Sequence, residues 1–167
     1  MALRRAISQA SCPPSSNSSP TLLQRAVGQL ARREHSRAEL RRKLQRYLTV
    51  DSDAQDVERV LDQLAAQGML SDARFMQSRL RVRAPRYGVA RIKQELQQHG
   101  LAPELVREAT QTLAGTEFER AWKIWQRKFG VVAQDQAQRA KQARFLAARG
   151  FDSEVVLRVL RQAERGF

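Results

Sequence analysis

The sequence predicts an all-α protein made of three tandem three-helix repeats, each similar to a helix-turn-helix unit. Three observations predict this fold. No proline interrupts the chain between Thr21 and Pro85, and apolar residues recur at helical spacing throughout. One motif also returns after about fifty residues. Such a short unit cannot form a large core, so each repeat is expected to be stabilised by packing on its neighbours.

The first twenty residues are predicted to form a disordered polar tail. The stretch Ser8–Pro20 is small and polar with three prolines, so it cannot bury enough apolar surface to offset the entropy of ordering. The only cysteine, Cys12, lies there, which excludes a disulfide within the chain and a cysteine-based metal site. Neither a signal peptide nor a membrane span is evident, so we expect a soluble cytoplasmic protein.

Nine helices are expected, and four of their starts resemble capping boxes. These are Thr21–Gln24, Ser36–Glu39, Ser52–Gln55 and Thr116–Glu119. Apolar stripes follow at helical spacing, with a weaker helix at about 137–149. We assign Leu40, Leu44, Phe75, Ile92, Leu96, Trp122 and Phe151 to packing.

The repeat is visible where Leu96-x-x-x-Gly100-Leu101 returns fifty positions later as Leu146-x-x-x-Gly150-Phe151. The first copy is looser, because the turn after its second helix is longer and acidic. These features place the repeats at 21–70, 71–114 and 115–167, after the tail at 1–20.

Charge indicates a polyanionic partner. Lysine and arginine number 30 against 17 acidic residues, a net charge of +13. The run from Arg32 to Arg46 holds seven basic residues, and the stretch from Ala73 to Lys93 holds seven more and no acid. An ordinary solvated helix face would mix signs, because like charges at helical spacing repel. Nucleic acid or an acidic protein surface is therefore the expected partner, and no base-reading pattern is evident.

The aromatic residues have two interpretations. Trp122, Trp125 and Phe129 share a helical stripe with Phe118, which favours a role in the core over stacking on bases. Tyr87 lies beside Gly88 among arginines, and its hydroxyl could serve either packing or contact with a ligand.

No pattern of catalytic residues is found. His35 and His99 lie near helix ends without metal-ligand spacing, so we interpret both as solvated or capping residues. The acidic cluster from Asp51 to Asp62 suggests a balancing surface more than a metal site. We expect no enzymatic activity, no metal and no cofactor.

Four segments, taken in their order along the chain, resemble the RecX family of regulatory proteins that modulate the RecA recombinase. The resemblance covers about residues 22–163. The four segments are Ser36-x-x-Glu39-Leu40-x-x-Lys43-Leu44, Gly68-Met-Leu70-Ser-Asp72-Ala-Arg-Phe75, Arg83-x-x-Arg86-Tyr87-Gly88-x-x-Arg91-Ile92-x-x-Glu95-Leu96-x-x-x-Gly100, and Arg144-Phe145-Leu146-x-x-Arg149-Gly150-Phe151. The resemblance implies an elongated, curved array of three repeats that lies in the groove of the RecA filament on DNA. It also implies inhibition of ATP hydrolysis, strand exchange and filament growth.

We therefore expect a monomer that binds the RecA filament and DNA through residues of the first two repeats. The expected contact residues are Arg37, Arg41, Arg42, Lys43, Arg81, Arg83, Arg86, Tyr87, Arg91 and Lys93. A different hypothesis is a self-sufficient, non-sequence-specific DNA-binding protein without a dedicated protein partner. That protein would bind naked DNA and coated filament equally, with a steep salt dependence in both cases.

Overall fold

A computed structural model describes residues 20–48 and 53–166 of the chain. These residues form nine α-helices and no strand, which confirms the predicted all-α class. The helices are α1 (Leu22–Leu30), α2 (Arg37–Gln45), α3 (Ala54–Ala66), α4 (Asp72–Arg83), α5 (Val89–Gln98), α6 (Pro103–Ala114), α7 (Glu117–Lys128), α8 (Gln136–Ala147) and α9 (Ser153–Glu164). Except for Pro20, the predicted tail lies outside the described residues.

Local capping accounts for the first helix starts. Thr21 and Gln24 form the predicted capping box of α1. The Ser36 hydroxyl accepts a hydrogen bond from the Glu39 amide at 3.1 Å, so Ser36 caps α2 as predicted. The Glu39 carboxylate instead contacts Arg33, which is why the second half of that box is missing.

Two other predicted caps have a different outcome. Asp53 caps α3 and forms a box with Asp56, while the predicted cap Ser52 lies outside the described residues. The box predicted at Thr116 is wrong. The Thr116 side chain accepts no hydrogen bond from a backbone amide of α7, and its hydroxyl donates to the Leu113 carbonyl at 3.3 Å.

Each group of three consecutive helices encloses its own apolar cluster. Six of the seven residues assigned to packing are buried in these clusters, and Trp122 packs partly buried against the third one. The indole of Trp125 is 1% exposed, and its N–H donates to Gln142 at 2.8 Å. The core interpretation of the tryptophans is therefore confirmed.

Glycine explains the motif that recurs in the second and third repeats. Gly100 and Gly150 follow the second helix of their repeats and have φ angles of 69° and 80°. Glycine adopts this left-handed conformation without steric cost, so it ends one helix and turns the chain into the next. The residue after each glycine, Leu101 or Phe151, is buried in the cluster of the same repeat.

Consecutive repeats are joined by a contact that occurs twice. Asp72 is the first residue of α4, and its carboxylate accepts a 2.8 Å hydrogen bond from the Arg37 amide at the start of α2. The first residue of α7, Glu117, accepts one from the Val89 amide at the start of α5, also at 2.8 Å. Each repeat thus supplies an acidic cap to the second helix of the repeat before it.

The histidines lie at the junction between the first two repeats. His35 is 1% exposed, so its interpretation as a solvated or capping residue is wrong. His99 is the C-cap residue of α5, but its ring is half-buried and packs edge-on against Phe75 with centroids 4.9 Å apart. Its carbonyl accepts a hydrogen bond from the Ser36 hydroxyl at 2.9 Å. The main chain of His99 therefore joins these repeats, while its ring packs within the second one.

Candidate polyanion-binding surface

Two of the predicted contact residues form ion pairs within the first repeat. The Arg37 guanidinium donates to Glu58 at 2.8 Å and to Asp62 at 2.6 Å. Arg41 donates to the same Glu58 carboxylate through two of its nitrogens. The hydrogen bonds from Arg41, which have the larger effect, and from Arg37 lower the pKa of Glu58 from 4.5 to about 2. The acidic residues of α3 therefore offset part of the basic charge of α2.

Two further predicted contact residues, Arg83 and Tyr87, have partners within the second repeat. Arg83 forms a bidentate ion pair with Glu95. Burial raises the pKa of Glu95, but the hydrogen bonds and charge of Arg83 outweigh it, so the pKa falls below its usual value. The guanidiniums of Arg83 and Arg91 also stack on the ring of Tyr87, at 4.3 and 4.4 Å from its centroid. Tyr87 thus positions two arginines, and its ring already has stacking partners.

Lys43 and Arg91 have weaker partners. The Lys43 ammonium donates to the Gln29 side chain at 2.9 Å and lies 3.8 Å from the Glu39 carboxylate. Arg91 is exposed and donates to the Ala148 carbonyl at 3.4 Å, a long hydrogen bond. Both side chains keep N–H groups available for a ligand.

The remaining predicted contact residues have no internal partner among the described residues. Their side chains are exposed and form neither a hydrogen bond nor an ion pair there. These residues are Arg42, Arg81, Arg86 and Lys93. A cation without a carboxylate beside it keeps its full charge for an external anion, so these four are the strongest candidates for contact.

Three cations of the third repeat were not predicted. Arg127, Lys128 and Arg149 line a cleft of about 250 Å³ together with Arg86 of the second repeat. In the sequence these cations lie outside the two dense basic runs. The sequence signal was Arg149 within the segment Arg144–Phe151 that resembles the RecX family.

The described residues show neither a metal cluster nor a membrane span. No group of three or more histidine, cysteine or acidic residues in 20–48 and 53–166 is placed to hold a metal ion. Among the described helices, none combines the length and apolar character needed to cross a bilayer.

Two parts of the chain match family models. Residues 71–109 match the second three-helix domain of RecX, and residues 116–160 match the third. A regulatory protein RecX from Leptothrix cholodnii is 48% identical over 140 residues, which cover 84% of this chain and 87% of the relative. Another from Ralstonia nicotianae is 45% identical over 144 residues, 86% of this chain and 89% of the relative.

Solved structures share the fold. A crystal structure of RecX from Lactobacillus salivarius superposes with a TM-score of 0.71 at 15% identity, covering 86% of this chain and 95% of the other. A second crystal structure, of a regulatory protein RecX, has a TM-score of 0.65 at 20% identity and covers 84% of this chain and 70% of the other. The fold and the sequence relatives agree, and this chain belongs to the RecX family of regulatory proteins.

Proposed function

We propose that the protein binds the nucleoprotein filament that the RecA recombinase forms on DNA and inhibits its ATPase activity, strand exchange and extension. The observation that carries this proposal is the set of exposed, internally unpaired cations on a chain of the RecX family. Such residues favour a polyanionic target, and a filament presents both DNA phosphates and acidic protein groups.

Inhibition would follow from binding across neighbouring filament subunits. The repeats are joined through paired backbone and carboxylate contacts, so binding groups on different repeats are held at set separations. A ligand with several such groups gains affinity through multivalency. If it binds one subunit arrangement better than another, it shifts the filament toward the first and slows the cycle of ATP hydrolysis.

The predicted contact residues have two roles in this proposal. Arg42, Arg81, Arg86 and Lys93 contact the target directly, and Arg91 joins them through its free N–H groups. The others shape the surface through their internal pairs: Arg37, Arg41, Lys43, Arg83 and Tyr87. We also propose that the protein acts as a monomer in the cytoplasm. The repeat boundaries 21–70, 71–114 and 115–167 stay a prediction.

A DNA-dependent RecA ATPase assay with substoichiometric protein tests this function. The intact protein should inhibit hydrolysis. The variant Arg42→Gln/Arg81→Gln/Lys93→Gln should require about tenfold more protein for equal inhibition, because three exposed charge contacts of about 0.5 kcal/mol each are lost. These positions lie outside the apolar clusters, so circular dichroism should show an unchanged helical content.

The matched control is Lys141→Gln/Arg161→Gln/Arg165→Gln, which removes the same charge from exposed positions of α8 and of the end of α9. It should retain most of the inhibition. Absence of inhibition by the intact protein would overturn the proposal. Equal affinity for naked DNA and for RecA-coated DNA would instead support a self-sufficient DNA-binding protein.

A further inference from the structure

A basic cleft lies at the junction of the second and third repeats. Its walls come from the turn between α4 and α5, from the end of α7 and from α8. Four cations line it, namely Arg86, Arg127, Lys128 and Arg149, between the rings of Tyr87 and Phe145. No carboxylate is among the described lining residues, so positive charge is focused into a concave site.

Three of the four cations are available for a ligand. Arg86, Arg127 and Lys128 are exposed, and their side chains form no hydrogen bond or ion pair with any described residue. Arg149 is half-buried, stacks 3.7 Å from the centroid of Phe145 and donates to the Phe145 carbonyl at 3.3 Å. That contact fixes the guanidinium plane and leaves other N–H groups for an anion.

The two sides of the cleft are held together by hydrogen bonds to main-chain carbonyls. The Gly88 amide donates to the Arg149 carbonyl at 2.9 Å. The Arg120 guanidinium, from the third repeat, donates to the carbonyls of Ala84 at 2.9 Å and Tyr87 at 2.7 Å. Because these bonds secure the chain on both sides of Arg86, its position relative to Arg149 is set before a ligand binds.

The aromatic walls favour recognition of phosphates over bases. Guanidiniums already stack on the rings of Tyr87 and Phe145, so a base would have to displace them. A protein partner would need an apolar core at its interface, and these covered rings offer little of one. Nucleic-acid interfaces are more polar and more positively charged, as this cleft is.

We infer that this cleft binds the sugar-phosphate backbone of DNA without reading its sequence. The inference rests on the proposed function for taking DNA as the target, and it adds a binding site to which the third repeat contributes most of the cations. Each bound phosphate would exchange its condensed counterions for a guanidinium or ammonium group. The cleft therefore makes binding dependent on salt and independent of base identity.

Fluorescence anisotropy of a labelled single-stranded oligo(dT), titrated with the full chain, tests the inference without RecA. The variant Arg127→Gln/Lys128→Gln should reduce the slope of log affinity against log salt by about 1.4, since each phosphate contact contributes about 0.7 on a single strand. At about 0.1 M salt this corresponds to roughly 25-fold weaker binding. An abasic oligomer should show the same loss, because only its backbone is recognised.

The control variant is Arg107→Gln/Arg165→Gln, which removes equal charge from exposed positions outside the cleft. It should change the affinity by no more than about twofold, because distant charges are screened. A separate Arg86→Gln variant, on the opposite wall, should also weaken binding if the cleft is the site.

Unchanged DNA binding by the Arg127→Gln/Lys128→Gln variant would overturn the inference. If that variant instead lost affinity for DNA-free RecA, the cleft would be a site for an acidic protein surface, which also overturns it. Neither result would contradict filament binding, because the ATPase test of the proposed function changes other residues. A loss confined to oligo(dT), with the abasic oligomer unaffected, would show that bases rather than phosphates are bound.

Discussion

Gly88 and Gly150 lie backbone against backbone at the junction of the second and third repeats. The Gly88 amide donates to the carbonyl preceding Gly150 at 2.9 Å, and the Gly150 carbonyl accepts from the Ala90 amide at 3.2 Å. A Cβ atom on Gly88 would overlap the Gly150 carbonyl and the Phe151 amide. The N-cap of α5 thus has no room for a side chain, and Glu117 of the next repeat supplies the missing cap.

Gly88→Ala should therefore destabilise the protein. The neighbouring atoms are main chain and cannot rotate away, so we expect a cost of about 1–3 kcal/mol or more in the free energy of unfolding. Urea denaturation followed by circular dichroism measures it.

The control for this substitution is Gly28→Ala. Gly28 is an exposed residue in α1, and nothing lies within 4 Å of a Cβ built there. Alanine is the better helix former by about 0.5–1 kcal/mol, so this variant should be more stable. Equal stability of the two variants would show that the repeats do not pack as closely as described.

Glu117→Ala should also destabilise the protein, whereas Glu119→Ala should have little effect. Glu117 is 5% exposed and caps α5, so its loss leaves the Val89 amide without its partner and should cost about 1–2 kcal/mol. Glu119 is exposed and forms no side-chain bond among the described residues, so we expect a change within about 0.5 kcal/mol. Thermal melts of both variants decide the comparison, and a larger effect at Glu119 would contradict it.

The Glu117 contact shows why some features could be predicted and others could not. Caps at Thr21 and Ser36 depend on residues three positions apart, so the local sequence contains the signal. The carboxylate of Glu117 bonds an amide 28 positions away in another repeat. The capping-box spacing predicted that Glu119 caps its own helix, α7. That local pattern contains no signal that Glu117 would cap a helix of the preceding repeat.

The basic residues have the same limitation. Two dense runs of cations were evident in the sequence, but whether each cation is paired depends on how helices pack. Glu58 contacts Arg41 from 17 positions away, and the cleft joins Arg86 to Arg149 from different repeats. The motif around Gly100 and Gly150 was predictable because the left-handed turn is a local requirement.

Acidification should lower the folding stability through the buried rings of His35 and His99. Burial lowers the pKa of His35 and of His99 below 6.5. The charge of Arg79 acts in the same direction on His99, whereas the Glu39 carboxylate opposes the shift at His35 without reversing it. In the unfolded chain both titrate near their usual value, so the unfolded state binds more protons below about pH 6.5. The stability should be fully present above that pH and should fall as the pH decreases through it.

Melting temperatures measured from about pH 7.5 to about pH 5.5 check this pH dependence. His99→Gln removes one titrating ring and should flatten the pH profile, even if it lowers stability at neutral pH through the lost contact with Phe75. A variant profile with the wild-type slope would show that other groups cause the change.

Glu58→Gln should strengthen binding to naked DNA. The Glu58 carboxylate holds two guanidiniums, and its pKa of about 2 shows that it is ionised at neutral pH. Without that charge, Arg41 loses its ion-pair partner and can turn toward phosphates, whereas Arg37 stays bound to Asp62. The slope of log affinity against log salt should then steepen by about 0.7 on single-stranded DNA, the value for one added contact.

The matched control is Glu108→Gln, which removes one exposed carboxylate without an ion pair from α6. It should raise affinity only through the small change in net charge. Because Glu58 is 40% exposed, its ion pairs are screened by water and their loss should change the unfolding free energy little. If both variants bind DNA equally, Arg41 does not contact phosphates even when it is unpaired. Its role is then to hold α2 against α3.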